Sequence, residues 1–220
     1  MILKRLLLAL ALVAGAAILG ALLIAPASAA EGLDKGSSIV SFQLSHGDAD
    51  FAGPESGGYI SAYEHSEWGG QVMLQHLLST DWALALSAGV GTFNEKNEPG
   101  TNALPGALDF QYSQSSFNVR AGFDRFVHLS PEFHLFAGPG IQYWSGKGKT
   151  DDGVTEDERP STTRIALSGR MGAHVALGDS FGLTGYLGGF IGHATADEAG
   201  AKATWSPSGH DGAIGVAFSF

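Results

Sequence analysis

The sequence predicts an all-β fold, specifically an eight-stranded antiparallel up-and-down transmembrane β-barrel. Three observations carry that prediction. Runs of about ten residues alternate bulky apolar with small or polar side chains, which is the period of a strand. The connections between runs alternate short and long. The side opposite the bulky residues holds Gly, Ala, Ser and Gln, with almost no Lys or Glu.

Residues 1–30 come first and read as an export signal. Lys4 and Arg5 precede an uncharged apolar stretch from Leu6 to Ile24, and Ala27-x-Ala29 supplies the small residues of a cleavage site. The remainder, 31–220, is expected to be the barrel.

Its strands follow in order. From Ile39 to His46, Val40, Phe42 and Leu44 oppose Ser41, Gln43 and Ser45. From Gly69 to Leu78, Val72 and Leu74 oppose Gln71 and Gln75. From Trp82, Leu84, Leu86 and Val90 oppose Ala83, Ala85, Ser87, Gly89 and Gly91. From Ser116, Phe117, Val119, Ala121 and Phe123 oppose Asn118, Arg120, Gly122 and Asp124. From Phe133, Leu135, Ala137, Ile141 and Tyr143 continue one face, and His134, Phe136, Gly138, Gly140 and Gln142 the other. From Thr163, Ile165, Leu167, Met171, Val175 and Leu177 oppose Arg164, Ala166, Ser168, Arg170, Gly172 and His174. The run Phe181 to Gly192 is Gly-rich, and its facing is open. In the last run Ile214, Val216, Phe218 and Phe220 alternate with Ala213, Gly215, Ala217 and Ser219.

Such alternation fits either a soluble sandwich or a membrane barrel, whose bulky side meets lipid. A solvated sheet face normally carries many charges, and this one does not. Small residues also suit a narrow lumen. Backbone groups in hydrocarbon must all be paired, so the sheet must close on itself.

Connection lengths set the topology. Ser79–Asp81, Leu129–Glu132 and Gly178–Ser180 are tight turns. Gly47–Glu67, Asn94–Tyr112, Lys147–Ser161 and Ala194–His210 are long loops. Bacterial outer-membrane barrels keep short turns in the periplasm and long loops outside, so both termini are expected to be periplasmic. Trp82, Phe126, Phe133, Phe181 and Phe220 flank the turn end, and Trp68, Phe93, Tyr143 and Trp144 the loop end. They are expected at the membrane interfaces.

Composition narrows the function. The 220 residues include no Cys, which excludes disulfides, thiolate metal sites and a cysteine nucleophile. The formal charge of −10 lacks the footprint of a nucleic-acid binder. No phosphate loop, dinucleotide fingerprint or zinc-protease helix occurs.

The terminal strand, with Ile214, Val216, Phe218 and Phe220, resembles the C-terminal assembly signal of outer-membrane β-barrels. Residues 37–220 as a whole resemble the small eight-stranded family represented by the OmpA transmembrane domain. That resemblance implies recognition of the terminal strand by the barrel-assembly machinery; the barrel is expected to be a monomer among outer-membrane lipid and lipopolysaccharide. With the last strand ending at Phe220, no following peptidoglycan-binding domain is expected. The family has no single function; members act as scaffolds, adhesins, resistance factors or lipid enzymes.

Candidate functional residues fall in two places. The inward list holds Arg120, Arg164, Arg170, His134, His174 and one acid, Asp124, with Gln43, Gln71, Gln75 and Gln142. These are expected to form a polar plug in which Arg side chains bond Gln and Asp124. An alternative is a narrow anion-favouring pore, because three Arg outnumber one acid. Eight strands enclose little more than side chains, which favours the plug. The loops hold the second set. Phe51, Tyr59, Tyr63 and Trp68 suit an extracellular protein or glycan ligand. Asp151, Asp152, Glu156, Asp157 and Glu158 could hold a divalent cation, though their spacing matches no EF-hand. No resident cofactor or metal is expected, and solvated carboxylates are the simpler reading.

A lipid-modifying enzyme is the third reading. His65-Ser66-Glu67 cannot form a triad unaided, since adjacent strand residues face opposite ways. His128 and Ser130 share a face, at the turn end. A non-enzymatic structural or surface-interaction role is therefore expected.

Overall fold

The computed structural model describes residues 33–51, 63–97, 110–151, 156–158, 161–198 and 201–220. Among them are ten strands: β1 (Ser38–Phe51), β2 (Tyr63–Leu77), β3 (Trp82–Asn97), β4 (Phe110–His128), β5 (Phe133–Asp151), β6 (Glu156–Glu158), β7 (Thr162–Ala176), β8 (Phe181–Glu198), β9 (Ala201–Trp205) and β10 (Ser208–Ser219). β6 folds back on β5 and β9 on β8, as short hairpin returns. The other eight are the staves of a closed antiparallel barrel. Closure runs from Ile39 opposite Ser219 to Asp50 opposite Ser208. On its other side β10 pairs β8, from Phe218 opposite Phe181 to Ser208 opposite Ile191. No described residue is helical.

The three tight turns fall where the sequence puts them. Leu78 N donates to Trp82 O at 2.7 Å, Leu129 N to Phe133 O at 2.9 Å and Leu177 N to Phe181 O at 2.9 Å. The long loops start later than the alternation suggests. β1 and β2 stay paired out to Phe51 and Tyr63, β3 and β4 to Asn97 and Phe110. β5 reaches Asp151 and β8 reaches Glu198. The boundaries 47–67, 94–112, 147–161 and 194–210 are thus corrected. A hairpin ladder satisfies its own backbone in water as well as in lipid, so it need not stop where the apolar pattern stops. The signal at 1–30, Tyr59 and Asp152 lie outside the described residues, as do the side chains of Phe51 and Tyr63.

Alternation of side chains follows the staves. Phe42, Leu44, Val72, Leu86, Val90, Phe117, Phe123, Ile141, Ile165, Leu167, Ile214 and Val216 project outward. The open question of β8 resolves the same way: Leu187 is 73% exposed and its neighbour Tyr186 is 8%. So many bulky apolar groups turned out of a closed barrel require a hydrocarbon solvent.

Inside, a chain of about eight strands leaves room for side chains and little else. At the short-turn end the fill includes an apolar layer. Leu33, Ile39, Met73, Leu77, Ala83, Phe126, Phe136 and Ala217 are buried together, with Tyr186 above them. The rings of Phe126 and Phe136 stand 5.7 Å apart. The segment before β1 brings Leu33 into this layer through a turn at Gly36, whose φ of 95° favours a residue without Cβ. Gly36 N donates to Leu77 O at 2.9 Å, which ties the turn to β2.

Candidate functional site: the lumen

Above the apolar layer, side chains of six staves meet on the axis. Asp124 of β4 sits at the centre, with no exposure to solvent. Arg170 of β7 donates to it twice, from Nη2 to Oδ2 at 2.6 Å and from Nε to Oδ1 at 3.2 Å. Gln75 Nε2 of β2 donates to the same Oδ2 at 2.6 Å. This forked geometry suits a planar guanidinium and a carboxylate, and it lets a buried charge pair repay its desolvation.

Arg120 of β4 turns the other way. Its Nε donates to Ser168 Oγ at 3.0 Å and its Nη2 to Gly138 O at 3.1 Å. The guanidinium lies across Gly140, where a Cβ would collide with it. Gly138 admits no side chain either, because a Cβ there would strike the Phe123 carbonyl. The β4–β5 ladder also skips Phe123 and Asp124 opposite Pro139 and Gly138. Proline has no N–H to give the ladder, and the gap falls beside the buried carboxylate.

The glutamines bond one another rather than the arginines. Gln71 Nε2 donates to Gln43 Oε1 at 2.6 Å and to Tyr186 Oη at 2.9 Å. Tyr186 Oη passes the chain on to Asp211 Oδ2 at 3.2 Å. Gln142 is buried, with its Oε1 unpartnered. The expected Arg–Gln bonds are therefore replaced by a Gln43–Gln71–Tyr186–Asp211 chain. Gln and Tyr satisfy each other without neutralising a cation, which leaves Asp124 for Arg170.

Toward the turn end, His128, His134 and His174 form a column. His128 Nε2 lies 2.7 Å from Thr80 O, so it carries the proton that this carbonyl accepts. His128 Nδ1 and His134 Nδ1 are 2.8 Å apart, and the His134 and His174 rings stack at 6.0 Å. Ser130 Oγ instead donates to Glu132 Oε2 at 3.0 Å.

Toward the loop end the lumen widens into a vestibule. Ser45, Glu67, Gln71, Asn118, Trp144 and Arg164 line it, with Tyr186, Phe190 and Asp211 closing the far wall. Trp144 Nε1 donates to Glu67 Oε2 at 3.1 Å. The Arg164 guanidinium lies against two aromatic rings, 3.9 Å from the Phe190 centroid and 5.4 Å from the Trp144 centroid.

Two sequence expectations change here. Trp144 and Phe126 point inward and are buried, so neither is an interface aromatic. Parity alone places them there, Trp144 with Gln142 and Phe126 with Asp124. Trp68, Trp82, Tyr143, Phe133 and Phe181 do face outward, and Trp68 is 64% exposed. Second, Asp124 is not alone: among the described residues the inward acids are three. Glu67 and Asp211 stand inside with Asp124, so the excess of Arg that suggested an anion pore is gone. Both lay within or beside presumed loops; counting back by twos from Gln71 and from Ala213 reaches them.

The acidic loop also reads differently. Lys149 Nζ contacts Glu156 Oε1 at 2.5 Å and Lys147 Nζ contacts Glu158 Oε2 at 2.6 Å, across the β5–β6 hairpin. Pairing with Glu158 raises no site for a cation, and among the described residues no three acidic or His ligands converge on a metal position. In β2, His65 and Ser66 pair with Ala49 and Asp48 of β1.

Comparisons with known proteins agree with this architecture. A family model described as the outer membrane protein beta-barrel domain matches residues 16–220. No curated protein matches the sequence. Among solved structures, OprG from Pseudomonas aeruginosa is similar at 13% identity and a TM-score of 0.59, covering 87% of this chain and 99% of its own. Ail, the attachment invasion locus protein of Yersinia pestis, solved with the heparin analogue sucrose octasulfate, is similar at 12% identity and a TM-score of 0.50, covering 84% and 99%. These likenesses concern the fold. The chain belongs to the outer membrane protein beta-barrel domain family and is a barrel protein of the bacterial outer membrane.

Proposed function

We propose that the protein is a closed, non-conducting outer-membrane barrel with a structural or surface-interaction role, and that it is not an enzyme. In this reading residues 1–30 direct export, the assembly machinery reads Ile214, Val216, Phe218 and Phe220, and both termini face the periplasm. The loop end then faces outward, and the loops carry what specificity there is. The protein sits as a monomer among lipid and lipopolysaccharide.

The observation that supports this most is the double seal of the lumen. The apolar layer of Leu33, Met73, Leu77, Phe126 and Phe136 packs at the turn end. Directly above it the Arg170–Asp124–Gln75 cluster crosses the axis, fully buried. An ion crossing this path must displace packed aromatic rings and a desolvated charge pair. Planar-bilayer recording tests it: the refolded barrel is expected to give no steady unit current. Steady, anion-biased steps would replace the plug by the pore.

A further inference from the structure

The three lumen arginines differ in how far they are satisfied: Arg170 is ion-paired, Arg120 bonds neutral groups with its Nη1 left over, and Arg164 has no hydrogen bond among the described residues. Arg170 has Asp124, and Arg120 has Ser168 and the Gly138 carbonyl. Arg164 is 5% exposed, yet it makes no hydrogen bond to any described residue, and its Nε is buried without a partner. No carboxylate among the described residues comes within ion-pairing distance of it. Its guanidinium lies against the rings of Trp144 and Phe190. A buried cation without a hydrogen-bonded anion is costly, and such a group calls for a ligand.

The surroundings are shaped to hold one. Arg164 lines a vestibule that it shares with Gln71, Tyr186 and Gln142. Three glycines clear space for its walls. A Cβ at Gly91 would meet the Glu67 carboxylate, one at Gly146 the Trp144 ring, and one at Gly188 the Asp211 carboxylate. The Phe190 and Trp144 rings lie against the guanidinium and leave its N–H groups without a hydrogen-bonding partner among the described residues. Those N–H groups form a planar fork that matches a carboxylate.

We propose that the vestibule is a binding site for a small, flat organic monocarboxylate, held by the Arg164 guanidinium fork beside Trp144 and Phe190. The charge balance selects the class. Glu67 and Asp211 both act on Arg164 through the field of the vestibule, so a dianion such as phosphate meets two like charges. A monoanion with an apolar body meets one cation and aromatic walls. The site stands whether or not the lumen conducts, and it uses no loop residue beyond the described strands.

Calorimetry on the barrel refolded in detergent, against protein-free micelles, tests the proposal with benzoate, its neutral isostere benzamide, and inorganic phosphate. Benzoate is expected to bind at least tenfold more tightly than either comparator. Arg164→Gln should abolish benzoate binding, and Arg164→Lys should weaken it about tenfold, since the fork is lost and the charge kept. Glu67→Gln should tighten it several-fold by removing repulsion while keeping the Trp144 bond. Faster gel migration of unheated samples verifies that each variant folds. Should Arg164→Gln fail to fold, the benzoate–benzamide contrast in the unmodified barrel and the Glu67→Gln effect decide. No benzoate binding, equal binding of benzamide, tighter binding of phosphate, or full binding by Arg164→Gln would each overturn the proposal.

Discussion

The two ends of the lumen are built from the same alternation and yet differ in kind. At the turn end, inward positions hold Met73, Leu77, Phe126 and Phe136, buried in one cluster, with the column of His128, His134 and His174 beside them. At the loop end, inward positions hold Glu67, Arg164 and Asp211, with space between them. The difference teaches that period two assigns a face and says nothing about the fill. A layer with no route to water must be apolar or carry fully paired charge. The layer toward the loops instead carries a cation that lies against rings, with Glu67 and Asp211 acting on it at a distance.

The largest effect expected from breaking this contrast is at the boundary between the two regimes. Asp124→Ala leaves Arg170 buried and unpaired, at a cost of about 3–5 kcal/mol. Urea unfolding of the barrel in lipid vesicles measures it. The double variant Asp124→Leu with Arg170→Met should recover most of the loss, because an apolar pair suits a sealed layer. A cost below about 1 kcal/mol for the single variant would mean that water already reaches Arg170.

Phe126→Ala comes next, at about 3 kcal/mol, since a buried ring is replaced by a cavity that Phe136 and His128 can partly fill. Combined with Phe136→Ala it should also turn a silent bilayer recording into intermittent leakage. Silence in the double variant would shift the seal entirely to the Arg170–Asp124 layer.

The smallest effect is expected outside the lumen, in the β5–β6 hairpin. The Glu156 carboxylate raises the pKa of Lys149, and the Lys147 ammonium lowers that of Glu158. The Glu158 contribution is present above the ordinary carboxylate value and is lost as pH falls through its depressed one. The Lys149 contribution is present below the ordinary lysine value and is lost as pH rises through its raised one. The hairpin should thus hold best between roughly pH 5 and pH 10, and added salt should weaken it. Amide exchange at Glu156 and Glu158 reads this directly, while the unfolding midpoint of the barrel should not move. A Glu158 titration at the ordinary carboxylate value would remove the pair from consideration.

Much of the fold was legible in the residues, for a physical reason. A lipid-facing stave must be bulky and apolar at every second position, and its partner side must be small or polar. That constraint wrote the eight runs, the tight turns and the inward identity of Arg120, Asp124, Arg170, His134 and His174 into the chain. It also held the positions of Trp144 and Phe126, although the preference of aromatics for interfaces argued the other way. Glu67 and Asp211 were harder, because they lie beyond the lipid, where the alternation loses its apolar half.

By itself, then, the sequence determined the closed sheet, the side each residue faces and the solvent outside it, because all three follow from pairing every backbone group in hydrocarbon. Only the tertiary structure decided who meets whom across the axis. Asp124 meets Arg170 from 46 positions away, Gln71 meets Tyr186 from 115, and Arg164 meets the rings of Trp144 and Phe190. Those partners depend on stagger, side-chain length and the space that glycines leave, and none of these is a property of one strand read alone.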